Sequence, residues 1–163
     1  MKHLLLFLLL PLTLISQVQF DDLMEINSLN DFKKVVIENN YTATRDQPFS
    51  SFLFYGKGKK SLENYDWYCH SATYSLTDST FSFGFELDDN CLFLSSSLSS
   101  EKYSRCPYLP LIEEIKNQCE YEAILNYDGE DYVTYKCADS KFGGLLGIMT
   151  AFGRGNIRSF NID

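Results

Sequence analysis

The sequence predicts an α+β fold, an antiparallel sheet with two helices packed on one face. Three observations carry this. Short β-rich runs separated by turn residues fill most of the chain, and two stretches place apolar residues at helical spacing. The order of one helix followed by four strands then occurs twice, in residues 28–95 and 108–162, a tandem helix-plus-four-strand arrangement. Short connections between successive strands call for antiparallel pairing.

Residues 1–16 read as a signal peptide. Lys2 and His3 precede an apolar run from Leu4 to Ile15, broken only by Pro11 and Thr13, and the chain turns polar at Ser16 and Gln17. Cleavage is expected between Ser16 and Gln19, with an uncleaved anchor as the alternative. Removing 16 of 163 residues leaves 147, a single domain over 17–163 with pseudo-halves at 28–95 and 108–162. Loss of Lys2 takes the net charge from −8 to −9. Such a charge argues against nucleic acid and anionic membranes as partners, because phosphate binding needs a basic face. Past the signal peptide no membrane span is expected.

Ser28 caps the first helix, and Leu29, Phe32 and Val36 form its apolar stripe until Asn39-Asn40 ends it. Asn40-Tyr41-Thr42 is a glycosylation sequon, meaningful only in a eukaryotic secretory pathway. Residues 42–48 are polar and irregular. Ser50 to Tyr55 reads as a strand, followed by a basic loop, Gly56-Lys57-Gly58-Lys59-Lys60, that lacks phosphate-loop spacing. Asp66 to Leu76 and Phe81 to Leu87 follow as strands. The second alternates Phe81, Phe83 and Phe85 with Ser82, Gly84 and Glu86, so its phenylalanine face is core. Asp88-Asp89-Asn90 reads as a turn, Cys91 to Ser95 as a short strand, and residues 95–104 as a serine-rich loop. A second helix starts at Pro107 to Pro110 and carries Tyr108, Leu111, Ile112 and Ile115. Leu145 to Phe152 and Asn156 to Ile162 form a closing hairpin around Gly153-Arg154-Gly155.

Between Cys119 and Cys137 lie two β-rich runs and one turn. Read as a three-residue loop, Tyr127-Asp128-Gly129 sets Asn126 opposite Glu130 and Cys119 directly across from Cys137, close enough for a disulfide. A two-residue Asp128-Gly129 loop would instead set Cys137 opposite Glu120. Of the five cysteines, Cys91 and Cys106 form the second expected pair, leaving Cys69 as a small buried hydrophobe; Cys69–Cys91 is the competing pairing.

Aromatic residues make up 15% of the chain, and the sheet face away from the helices is expected to carry some of Tyr55, Tyr68, Tyr74, Tyr132 and Tyr135. Such tyrosines suit a binding surface, since they bury rigid area at low entropic cost; the plainer alternative is packing under loops and helices. His70 is the sole histidine after the signal peptide. Its neighbour Cys69 points to the opposite strand face, so the two make no nucleophile–base pair, and no ligand spacing for a metal or cofactor is present.

Tyr132-Val133-Thr134-Tyr135-Lys136-Cys137, Ser140-Lys141-Phe142-Gly143-Gly144, Gly147 and Gly155-Asn156-Ile157-Arg158-Ser159-Phe160 together resemble the C-terminal part of small uncharacterised secreted proteins of Bacteroidota, over about a fifth of the 163 residues. That resemblance implies export and no particular activity. The tandem order of elements is similar in outline to the β-lactamase inhibitory proteins, secreted acidic inhibitors with a concave sheet, but the likeness is of topology alone and carries no contact residues. The expectation is a secreted, non-enzymatic binding or interaction module for another protein or surface molecule. A secreted hydrolase-like enzyme using His70 and a structural envelope protein are the alternatives.

Overall fold

The computed structural model describes residues 17–44, 51–62, 65–86, 108–151 and 154–162. The signal-peptide reading, the strand at Cys91 to Ser95, the serine-rich loop, and Cys91 and Cys106 lie outside these residues. Among the described residues three helices, α1 (Phe20–Glu25), α2 (Leu29–Glu38) and α3 (Leu109–Gln118), accompany eight strands: β1 (Thr42–Ala43), β2 (Phe52–Leu62), β3 (Tyr65–Ser75), β4 (Phe81–Glu86), β5 (Glu120–Tyr127), β6 (Glu130–Lys136), β7 (Leu145–Ala151) and β8 (Arg154–Phe160). All eight form one antiparallel sheet in the order β1-β2-β3-β4-β8-β7-β6-β5. Mixed helix and strand content is as expected, with the sheet dominant.

Each helix begins and ends for local reasons. Ser28 Oγ accepts from the Asp31 amide and donates to the Asp31 carboxylate at 2.7 Å. Donation from Ser28 Oγ, and second from the Asn27 amide, holds the Asp31 carboxyl below its usual range. At the other end Asn40 takes φ +60°, the amide of Asn40 donates to Ile37 O, and that of Tyr41 donates to Val36 O at 2.8 Å. This is a Schellman motif, which satisfies the last carbonyls and turns Tyr41 into the core. Helix α1 is an addition to the expected two. It buries Phe20, Leu23 and Met24, and its six residues are too few to display a helical period.

One face of the sheet receives every described helix. Phe32 of α2 lies 5.3 Å from Tyr74 and 5.9 Å from Phe83 between ring centroids, while Tyr108 at the start of α3 stacks on Phe85 at 4.4 Å. Ala72, Phe81, Leu146, Ile148 and Ile157 complete this core. Burial on that face is the main stabilising term.

Two expectations need correction in the first half. Strand β2 continues through the expected basic loop to Leu62, because Lys57 and Lys59 pair with His70 and Tyr68 of β3. Lys57 is part-buried there, and burial pulls its pKa down. The polar stretch after α2 contains β1, where Thr42 and Ala43 pair with Gly56 and Tyr55.

The second half shows how its disulfide forms. Tyr127 pairs with Glu130 and Asn126 with Asp131, so the turn is the two-residue Asp128-Gly129, with φ +53° and +80°, and not the three-residue loop. Uninterrupted, that register would misalign the cysteines. A β-bulge between Tyr121 and Ala123 absorbs one residue and brings Glu120 opposite Lys136. Cys119 and Cys137 are joined, with Cα atoms 4.4 Å apart. The expected bond is present, but through a compensating bulge. With a sequence separation of 18, replacing both cysteines by serine should cost about 3 kcal/mol of unfolding free energy in urea titrations. An unchanged midpoint would show that the bridge adds nothing.

Candidate functional site

Ladder partners share a sheet face, so the register fixes what lies opposite the helices. Ser71 of β3 pairs with Gly84 of β4, Gly84 with Asn156 of β8, and Asn156 with Met149 of β7. These four residues form a row across the outer face. Gly84 contributes no side chain, and a hollow of about 450 Å³ opens over the row. Its walls come from Tyr68, Glu86, Arg154, Asp128 of the β5–β6 turn and Glu130 at the start of β6. Glu86 pairs with Arg154 across the ladder, and Arg154 Nη2 lies 3.3 Å from Glu130 Oε1.

Tyr68 has a specific placement. A Cβ built on Gly56 would lie 2.3 Å from its Cγ and Cδ1 and 2.7 Å from its Cδ2. Proximity to all three atoms means that the ring lies flat over this glycine, which is why no side chain fits at position 56. Tyr68 is half-buried and lines the hollow.

Beyond the hollow, the outer face carries an aromatic cluster. Tyr132 and Phe160 meet edge to face at 5.3 Å, Tyr127 contacts both, and the Arg158 guanidinium lies 4.0 Å over the Tyr127 ring. Arg158 Nη2 also donates to Tyr127 Oη at 3.0 Å, whereas its buried Nε finds no partner among the described residues. Burial raises the pKa of Tyr132.

The five tyrosines singled out from the sequence therefore divide. Tyr68 and Tyr132 stand on the outer face. Tyr74 is buried among helix residues, Tyr55 packs against Phe32 at 5.8 Å, and Tyr135 abuts the same core. Sequence reasoning missed Gly84, Glu86, Arg154 and Asn156; the phenylalanine alternation of β4 already implied that Gly84 and Glu86 face away from the core.

Cys69 is disulfide-bonded, which corrects its assignment as a free buried thiol. Strand β3 thus carries a cross-link at the margin of the hollow. Cys69 also lines the hollow.

His70 occupies the helix-covered face, with its ring 5.5 Å from that of Tyr108. Tyr108 in turn shares a hydrogen bond with Tyr41, whose own pKa burial pushes up to about 12. His70 Nδ1 is buried without a partner among the described residues. Burial first, and the nearby Lys57 charge second, lower its pKa to about 4. Such a ring is neutral at pH 7 and a weak base, far from the value that suits a general base. Among the described residues no group of three or more metal-ligating side chains occurs.

The His70 shift has a consequence for stability. Its folded pKa lies below the unfolded value near 6.5, so as pH falls the unfolded chain takes up this proton first. The His70 contribution is intact above about pH 6.5 and is lost progressively towards pH 4, by on the order of 3 kcal/mol. Urea unfolding of the wild type and of His70→Phe from pH 7.5 to 4 should show the wild type losing more, and parallel curves would refute the assignment. No protein-family model, curated protein or solved structure matches this chain.

Proposed function

We propose that this chain is an exported, non-enzymatic binding module whose outer sheet face engages another protein or surface molecule. The carrying observation is the division of the sheet: every described helix packs on one face, and the other holds a polar hollow beside an aromatic cluster. A hollow of this volume falls in the range of ligand sites. Tyr127, at 39% exposure, and the stacked Arg158 supply the side-chain types that dominate binding energy at interfaces.

Export is supported by the Cys119–Cys137 bond, since such bonds persist in oxidising compartments. Among the described residues no helix is long and apolar enough to cross a membrane. The position of His70, facing Tyr108 on the helix side and away from the hollow, favours binding over hydrolysis as the use of the outer face.

A photo-crosslinking amino acid placed at Tyr127 and, in a second variant, at Ile37 on the helix side tests this reading in the native exporting cell. Both positions are exposed, at 39% and 64%. Discrete adducts from position 127 and none from 37 are expected. Equal labelling from the two positions, or labelling from 37 alone, would move the binding face elsewhere.

A further inference from the structure

We propose that the hollow beside Tyr68 is a subsite for a neutral saccharide ring, an inference that rests on the outer sheet face being the binding face. The argument starts from the flat tyrosine. With one side laid against Gly56, the ring is held as a rigid platform, and the half-buried Tyr68 lines the hollow. A pyranose presents a face of C–H groups that packs on such a ring, and a rim of hydroxyls that needs planar donors and acceptors.

The remaining walls have this second character. Glu86, Arg154, Glu130 and Asn156 are planar hydrogen-bonding side chains, and Ser71 adds a hydroxyl. Arg154 stands across the ladder from Glu86 and pairs with Glu130, so the guanidinium orients the Glu130 carboxylate and offsets part of the negative charge of the lining. Gly84 leaves the floor open, since a Cβ there would press within 2.6 Å of Ser71 Oγ.

Other ligand classes fit less well. Three carboxylates, Glu86, Asp128 and Glu130, against one guanidinium repel a phosphate or sulfate. Apolar ligands find little beyond Met149 and the ring of Tyr68, since the Phe85 ring is stacked on Tyr108 in the core. A cationic amine is the serious competitor, because the net charge of the lining is negative and an aromatic face attracts cations.

The test uses the full exported chain with saturation-transfer NMR and calorimetry against neutral gluco-, manno-, xylo- and chito-hexasaccharides, with spermine and a lysine hexapeptide alongside. At least one hexasaccharide should bind. Tyr68→Ala should raise its Kd at least about tenfold, a loss of about 1.4 kcal/mol, while Tyr68→Phe stays within about threefold. Arg154→Ala guards against a folding artefact, because its pair with Glu130 is exposed and contributes little to stability; it should weaken binding with an unchanged melting temperature. Ile37→Ala should have no effect. Tighter binding of spermine or the lysine peptide, or binding of no hexasaccharide at all, overturns the proposal. If Tyr127 still crosslinks a partner when no hexasaccharide binds, the saccharide assignment fails and the outer binding face stands.

Discussion

The pairing of β4 with β8 is the constraint on which the rest of the molecule depends. Strands β1 to β4 and β5 to β8 are each built from neighbours in sequence, and this ladder is where the two sets join. At its centre Phe83 faces Ile157, both fully buried. Phe83 also meets the rings of Phe32 and Tyr41, so one residue ties α2, the chain leaving it, and the central seam together. The adjacent pair, Gly84 with Asn156, points the other way and floors the hollow. Along β4 the alternation of phenylalanine with small or acidic residues therefore assigns one face to packing and the other to solvent and ligand.

This alternation is why so much of the architecture can be read from the sequence. Phe81, Phe83 and Phe85 identify their own face without further information, and the stripe of Leu111, Ile112 and Ile115 identifies α3. Tyrosine gives no such guidance, because its ring suits a core and its hydroxyl suits water. Tyr74 and Tyr132 are both nearly fully buried, yet they lie on opposite sides of the sheet, a distinction set by register and invisible in composition. A six-residue helix such as α1 completes less than two turns, and a two-residue strand such as β1 has too little length to show any alternation. The pairing state of Cys69 likewise depends on distances that a sequence with an odd number of cysteines does not contain.

The hollow illustrates the same limit at the level of function. Its walls come from β3, β4, β7, β8 and the β5–β6 turn, stretches up to about ninety positions apart, and no short motif spans them. Ladder pairing alone assembles them. The one residue with obvious chemical character, His70, is placed by the same register on the packed face, where burial suppresses the charge that catalysis would draw on.

The bulge between Tyr121 and Ala123 has a second effect, beyond aligning Cys119 with Cys137. Strand β5 is the last of the described strands in the sheet, and a long terminal strand offers its backbone donors and acceptors to any passing chain. Tyr121 and Ile124, both well exposed, would make such an offer more attractive. The extra residue, Glu122, breaks the even spacing that another strand must match, and with Glu120 it places negative charge at this point. The irregularity that permits the covalent clasp thus also discourages sheet-to-sheet aggregation.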